Sequence, residues 1–151
     1  MFDFTKKKTG ILKSKYRPSL IIDGDILEYT FIKKRAKTST EFKTDVILKK
    51  NLAKPVSTIV SVYMDLNDLH FVDYDKDNNH IFMVGKFSVS YRSADYEYES
   101  SVEYKDKLYG IEFLYDFVDI NQFLKILSIH TKTTKLLEKV EPISLWKIVQ
   151  L

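Results

Sequence analysis

The chain has 151 residues, with 24 Lys or Arg against 21 Asp or Glu, a net charge of +3, three His and no Cys. This length fits one domain with its own core, so residues 1–151 are predicted to form a single domain. The missing cysteine excludes disulfides, a thiolate nucleophile and thiolate-bound metal sites. No apolar run is long enough for a membrane helix, and we expect a cytoplasmic protein without a membrane partner.

Charge is distributed unevenly along the chain. Residues 1–54 carry 14 basic against 6 acidic residues, residues 55–119 carry 5 against 13, and residues 120–151 carry 5 against 2. Either the oppositely charged segments neutralise each other in the fold, or two charged faces serve different partners. The composition, rich in Lys, Ile and Tyr, suggests a bacterial or phage protein.

The basic segment at residues 1–18 is predicted to be an arm, either flexible or held as an edge strand. Basic side chains can contact phosphates, and neighbouring aromatic rings can stack on bases. Nucleic-acid binding is therefore an alternative function, although the largest aromatic cluster lies in the acidic third of the chain, which would repel phosphates. The candidate binding residues are Lys6, Lys7, Lys8, Lys13, Lys15, Arg17, Lys33, Lys34 and Arg35.

The stretch LIIDGDILEY, residues 20–29, predicts a β-hairpin, because β-forming residues flank Asp-Gly. An apolar strand that ends in carboxylates also resembles the opening strand of 5′-nuclease and PIN-type nucleases, in which an Asp binds metal. The resemblance covers about ten residues and implies a second alternative, a Mg²⁺-dependent nuclease that uses Asp23 and Asp25. Further carboxylate partners cannot be placed, because residues 40–118 have β patterns throughout.

The next segments are predicted to be strands separated by a turn. Residues 42–48 and the stretch STIVSVYMDL, residues 57–66, have strand patterns, and in the second Val60, Val62, Met64 and Leu66 share one face. The stretch DKDNN, residues 75–79, predicts a turn. The longer stretch DYDKDNN, residues 73–79, has alternating Asp residues that are typical of a calcium loop, but Val84 stands where a bidentate Glu is needed.

Residues 81–117 contain three segments in which apolar or aromatic residues alternate with polar ones. Polar clusters at 92–95 and 105–107 predict turns between them, and hence a three-stranded antiparallel meander. Its aromatic rows either pack in the core or, in the Tyr-rich middle segment, form an exposed recognition strip.

The exposed alternative predicts the function we favour, a non-enzymatic protein-binding module such as a small regulator, inhibitor or chaperone-like adaptor. Tyr is enriched in protein interfaces, and a rim of carboxylates would steer a basic partner. The predicted partner is another protein, and the oligomeric state stays open. The candidate binding residues are Tyr91, Tyr96, Glu97, Tyr98, Glu99 and Tyr104.

The C-terminal segment changes to a helical pattern. Asp119 and Gln122 have the spacing of a capping box, and the helical positions that follow are Ile120, Phe123, Leu124 and Leu127. A second short helix is predicted around Leu136, Leu137 and Val140, and the last residues, with Trp146, fit a helix or a strand. The predicted fold class is α+β, with a mainly antiparallel sheet of about six strands covered on one face by C-terminal helices.

Successive strands, the GKFSV segment at Gly85–Val89 and C-terminal helices resemble the SecB-type export-chaperone fold, which implies exposed apolar strand faces that hold client chains. The family's Pro-containing signature is missing, and an extra strand pair intervenes. The residues show no strong catalytic pattern, because the three His lack zinc spacing and the four Gly lie too far apart for a phosphate loop. No catalytic residue, metal or cofactor is predicted.

Overall fold

The structure, a computed structural model, describes residues 1–4, 18–35, 56–93, 99–136 and 139–143. These residues form eight strands, one α-helix and one 3-10 helix. In chain order they are β1 (Phe2–Asp3), β2 (Ser19–Asp23), β3 (Ile26–Arg35), β4 (Val56–Asp65), the 3-10 helix (Leu66–Asp68), β5 (Leu69–Asp75), β6 (His80–Ser93), β7 (Glu99–Leu114), α1 (Ile120–His130) and β8 (Glu141–Ile143).

All the strands belong to one sheet, in the order β1-β2-β3-β4-β6-β7-β8, with β5 paired to β6. Every pairing is antiparallel except that of β7 with β8, which is parallel. β4 and β5 follow one another along the same edge of β6, because β6 pairs with β7 on its other edge. The fold is an eight-stranded mixed sheet, and the predicted α+β class with a cover of several C-terminal helices is wrong.

Gly85 of β6 lies opposite the junction between β4 and β5. A Cβ atom on this residue would lie 2.6 Å from the carbonyl oxygen of Asp68 and 3.3 Å from the Cα of Leu69. Glycine therefore allows the backbone of the 3-10 helix to approach β6 at this point. The 3-10 helix begins after Asp65, whose carboxylate accepts a hydrogen bond from the Asn67 N–H at 2.9 Å.

The predicted hairpin over residues 20–29 is confirmed as the turn between β2 and β3. Asp23 pairs with Ile26, so Gly24 and Asp25 form a two-residue loop. Gly24 has a φ of 60°, which is the sign that a type II′ turn requires at its first central residue. The turn of the DYDKDNN stretch is also confirmed, at residues 76–79, but β5 before it is a strand that the sequence pattern missed.

The core lies on the concave face of the sheet, where the alternating residues of β4, β6 and the end of β7 are buried. Tyr29 of β3 stacks on Phe113 of β7 with ring centroids 4.4 Å apart. Since two other strands separate β3 from β7 in the sheet, the sheet must curl strongly. Six of the buried rings, each in contact with at least one other of the six, form what we call the covered cluster. They are Phe4, Tyr29, Phe113, Tyr115, Phe117 and Phe123.

Helix α1 packs on this cluster through Phe123 and Leu127, as the helical spacing predicts. The predicted capping box is wrong, because Asp119 is left-handed (φ 57°, ψ 45°) and its side chain makes no capping hydrogen bond. Its carbonyl oxygen accepts the N–H of Phe123 at 3.0 Å. The loop before the helix is held by the Tyr115 hydroxyl, which donates to the carbonyl oxygen of Val118 at 2.6 Å.

The predicted second C-terminal helix is also wrong. Residues 131–136 and 139–140 are not helical, and β8 adds to β7 instead. The N–H groups of Lys132 and Thr133 donate to the carbonyl oxygen of His70 at 3.1 and 3.2 Å, which ties this Thr-rich segment to β5. Pro142 lies in β8, an edge strand, where the missing N–H is tolerated.

The predicted three-stranded meander over residues 81–117 is wrong in its number of strands. β6 and β7 are two long strands, paired from His80 with Leu114 to Arg92 with Glu99. The predicted turn at residues 105–107 lies inside β7, where the register shifts, so residues 105–108 lie opposite Lys86 alone. The polar cluster is thus a bulge, because β7 continues to pair with β6 on both sides of it.

Several predictions fall outside the described residues: most of the basic arm, the strand at 42–48, residues 94–95 of a turn, Leu137 and Trp146. Of the arm, residues 2–3 pair with β2 and Phe4 is buried. In the described ranges, no helix has the length and apolar character needed to cross a membrane. The described elements share one core cluster, and the assignment of the whole chain to one domain stays a prediction.

Candidate functional site

Four aromatic residues of β6 and β7 gather on the concave face, away from α1. Phe87 pairs with Tyr104, and their ring centroids lie 5.4 Å apart. The ring of Tyr109 meets that of Tyr104 edge-on at 5.2 Å, and Tyr104 contributes to the raised pKa of Tyr91. We call these four residues the tyrosine cluster. It contains two of the residues predicted to bind a protein, Tyr91 and Tyr104.

The members of the tyrosine cluster differ in exposure. Tyr91 is 3% exposed, and burial raises its pKa to about 12, with further contributions from Tyr104. Tyr104 is only half-buried. The ring of Tyr91 is therefore a core residue, which confirms the core alternative at this position, whereas Tyr104 keeps surface that a partner can contact.

The bulge of β7 explains why Tyr104 and Tyr109 touch although five positions separate them. Gly85 pairs with Tyr109 and Phe87 pairs with Tyr104. The Tyr109 hydroxyl donates to Asp106 Oδ1 at 2.7 Å, and this bond lowers the pKa of the Asp106 carboxyl. The bulge is thus closed by its own side chains.

Lys107 fastens the bulge to the last strand. Its Nζ atom lies 2.8 Å from Oε2 of Glu141 in β8 and 5.3 Å from the ring centroid of Tyr109. These contacts raise the pKa of Lys107, first through the hydrogen bond to Glu141. β8 pairs only with residues 109–111 of β7, so the bulge marks the point where the cover of β7 ends.

Before the bulge, residues 99–104 of β7 form what we call the open edge. They pair with β6 on one side, and among the residues that the structure describes no strand pairs with them on the other. Their exposure alternates along the strand. Glu99, Ser101 and Glu103 are exposed on the convex face, whereas Ser100, Val102 and Tyr104 are half-buried on the concave face.

The charges around the open edge are mixed. Glu99 pairs with Arg92 in the β6–β7 register, and Lys105 Nζ lies 4.0 Å from Glu103 Oε1 with both side chains largely exposed. The sheet therefore supplies basic neighbours for both carboxylates. In the part of the chain that the structure describes, the predicted rim of carboxylates consists of Glu99 and Glu103.

The remaining predicted protein-binding residues, Tyr96, Glu97 and Tyr98, lie outside the described residues. Three of the predicted nucleic-acid-binding residues lie at the C-terminal end of β3. They are Lys33, Lys34 and Arg35, which pair with residues 56–58 of β4. The other six lie in the segment 5–17, which is not described. The two predicted groups are not brought together by any described contact, and their binding roles stay predictions.

The metal hypotheses find no further ligands. Asp23 and Asp25 are exposed at the β2–β3 turn, and Asp25 Oδ2 accepts a hydrogen bond from Asn67 at 3.4 Å. The Asp75 carboxylate accepts hydrogen bonds from Asp77 N–H and from Asn78, so it shapes its own turn. Among the residues that the structure describes, no three His, Asp or Glu side chains converge to hold a metal ion.

Sequence reasoning missed the open edge, although one signal was present. The charged cluster at residues 105–107 indicates an interruption of the strand, and the strand residues before it alternate as ESSVEY. Beyond the bulge, β7 pairs with β8, whose residues lie far along the chain from their partners. Tyr109, for example, pairs with Glu141. Such a contact has no local signature.

Comparison of the chain with models of known families, with curated proteins and with solved structures finds no match.

Proposed function

We propose that the protein is a non-enzymatic protein-binding module that receives an extended segment of another protein at the open edge of β7. The observation that supports this proposal is that, within the described part of the chain, β6 is the only strand that pairs with residues 99–104. In an antiparallel edge strand, alternate residues direct their backbone N–H and C=O groups away from the neighbouring strand. An added strand can use these groups for main-chain hydrogen bonds, while its side chains give specificity.

Side chains beside the open edge support the same role. The half-buried Tyr104 offers an amphipathic ring, a residue type that interfaces favour, and Val102 lies next to it on the same face. Lengthy open edges are usually protected by proline, by a bulge or by inward charges. Here the bulge begins only after Tyr104. A small cytoplasmic regulator, inhibitor or adaptor would use such an edge, and the cysteine-free composition fits a reducing compartment.

The proposal is tested by a pair of proline substitutions, Ser101→Pro and Val102→Pro. Of two consecutive strand residues, one directs its N–H toward β6 and the other toward the open edge. Proline removes that N–H, so one variant should lose stability in urea. The other should keep its unfolding midpoint but bind random displayed peptides, selected on the unmodified protein, at least about tenfold more weakly.

The matched controls are Ser101→Ala and Val102→Ala, which keep the backbone N–H and should retain most of the binding. If both proline variants fold and bind the selected peptides as tightly as the unmodified protein, the open edge is not the site. Titration of labelled single- and double-stranded DNA at two salt concentrations tests the alternative function, since tight binding with a steep salt dependence would favour nucleic acid.

A further inference from the structure

We infer that the segment received at the open edge is a β-strand of another protein with basic side chains at alternate positions and apolar side chains between them. The inference rests on the proposed function, because it uses the same open edge. It also implies that a second copy of this chain is a poor occupant of that edge.

The convex face of the open edge carries the charge. Glu99 and Glu103 each lie two strand positions from Ser101, on opposite sides of it, and all three are exposed. A residue directly opposite in an added strand would have its Cβ about 4.5–5.5 Å away, where opposite charges stabilise and like charges destabilise the pair. The contact of Lys105 with Glu103, at 4.0 Å between exposed side chains, is of the weak and exchangeable kind.

The concave face of the open edge is less polar. Val102 and Tyr104 are half-buried there and pack against the core cluster. Because side chains alternate between the faces of a strand, residues of the added strand between its basic positions would lie beside Val102 and Tyr104. These intervening residues should therefore be apolar.

Pairing with a second copy of this chain brings like charges together. If two open edges pair antiparallel about Ser101, Glu99 of each copy lies opposite Glu103 of the other. Shifting the register by two residues brings Lys105 opposite Glu99, but Lys105 belongs to the bulge, where β7 departs from regular pairing. The edge thus disfavours its own copy and favours a basic strand.

The inference is tested with three labelled peptides of about nine residues, long enough to cover the open edge. One alternates Lys with Val, one alternates Glu with Val, and one has the Lys and Val residues in two blocks. At about 0.05 M salt the alternating Lys peptide should bind at least tenfold more tightly than the other two, and at about 0.5 M salt this advantage should shrink. Equal binding of the Lys and Glu peptides would overturn the inference.

Charge reversal provides the decisive variant. The double change Glu99→Lys with Glu103→Lys should weaken the alternating Lys peptide and strengthen the alternating Glu peptide, each by about tenfold. The control double change, Glu28→Lys with Asp77→Lys, alters the net charge equally at positions away from the open edge and should leave the preference unchanged. A preference that survives reversal at residues 99 and 103 would contradict the inference.

The proline variants separate the two levels of the argument. One outcome is that a folded proline variant binds none of the peptides, while the unmodified protein binds the Lys and Glu peptides equally. The proposed function then stands and the inference fails. If both proline variants fold and still bind the Lys peptide as tightly as the unmodified protein, the open edge is not the site and both fail. Sedimentation equilibrium completes the test: a monomer supports the inference, and a dimer that the same proline variant abolishes would make a second copy the occupant.

Discussion

The concave face of the sheet carries two aromatic clusters that differ in cover. The covered cluster lies under α1, and every one of its six rings is at most 7% exposed. The tyrosine cluster lies beside the bulge and the open edge of β7, and its Tyr104 is half-buried. The two clusters share β7, which contributes Phe113 to the covered cluster and Tyr104 and Tyr109 to the tyrosine cluster. The same strand therefore carries both a buried ring and a half-buried one.

Hydroxyl groups show what this difference means. In the covered cluster, the Tyr115 hydroxyl is bonded to the backbone carbonyl of Val118 at 2.6 Å, so the polar atom helps to fix the loop before α1. In the tyrosine cluster, the Tyr109 hydroxyl is bonded to an exposed carboxylate, that of Asp106. The covered cluster therefore serves stability, whereas the tyrosine cluster combines packing with surface that a partner can use.

The largest expected effect is a loss of stability that distinguishes the covered cluster from the tyrosine cluster. Phe123→Ala removes a fully buried ring that contacts Phe4 and Tyr115 at centroid distances of 5.3 and 5.2 Å. It should lower the free energy of unfolding by about 3–5 kcal/mol, measured by urea denaturation. Tyr104→Ala should cost clearly less, because that ring is already in contact with water.

Ile129→Ala is the control for this comparison, because Ile129 lies on the same helix with 75% of its surface exposed. It should change the free energy of unfolding by no more than about 0.5 kcal/mol. An equal loss of stability for Phe123→Ala and Tyr104→Ala would remove the distinction between the covered and the tyrosine cluster.

The sequence predicts the period-two rows of both clusters, but not their difference in cover. The rows at Val60 to Met64 and at Tyr109 to Phe117 are read correctly, because alternation is a local property. The ring contacts between β3 and β7, as in Tyr29 with Phe113, depend on the curl of the sheet. The sequence of the bulge at residues 105–108 predicts a turn, because the same polar residues are favoured in turns and in bulges.

The C-terminal cover shows the same limit. Helix α1 follows from its apolar spacing, while β8 carries Pro142 and has only three residues. This short strand forms because it can pair with β7. Local β-propensity does not reveal such a distant partner. The open edge, the part of the candidate site that matters most, is bounded by the start of β8 opposite Tyr109, and the sequence does not indicate that position.

The next effect concerns the backbone between the two clusters. Gly85→Ala would place a Cβ atom 2.6 Å from the carbonyl oxygen of Asp68, a backbone atom that cannot turn away. We expect a loss of about 1–3 kcal/mol in the free energy of unfolding. Hydrogen exchange should show faster exchange in both the 3-10 helix and the tyrosine cluster, since Gly85 pairs with Tyr109.

Gly110→Ala is the matched control in the neighbouring strand. Its Cβ would meet the ring of Phe82, also at 2.6 Å, but a side chain can move where a carbonyl cannot. Its cost should therefore be smaller than that of Gly85→Ala. If Gly110→Ala costs more than Gly85→Ala, the backbone of the 3-10 helix can shift away from β6 to make room for the added Cβ atom.

A smaller effect appears at alkaline pH. Burial raises the pKa of Tyr29, which is 7% exposed in the covered cluster, from 10.0 to about 12. The folded chain therefore holds this proton more tightly than the unfolded chain, so stability is complete below pH 10 and falls as the pH rises toward 12. The loss should be about 2 kcal/mol by pH 12, measured as urea unfolding at several pH values.

Tyr29→Phe should make this alkaline decline less steep by the share of Tyr29, whatever its effect on stability at pH 8, because phenylalanine has no proton to lose. The rest of the decline should remain, because burial also raises the pKa values of Tyr91 and Tyr115. Tyr63→Phe is the control, since Tyr63 is 38% exposed on the convex face, and it should leave the slope unchanged. An identical decline in the Tyr29→Phe protein would show that this hydroxyl is not held in a dry environment.

The smallest effect compares single hydroxyls in the two clusters. Tyr115→Phe removes the donor to the Val118 carbonyl and leaves that acceptor without its partner, so the free energy of unfolding should fall by about 1 kcal/mol. Tyr104→Phe removes a hydroxyl that water can replace, and it should cost well under that amount. Thermal or urea unfolding of both variants provides the measurement. If Tyr104→Phe proves the more costly, its hydroxyl is fixed within the fold by Tyr91, and the surface that we assign to a partner belongs to the core.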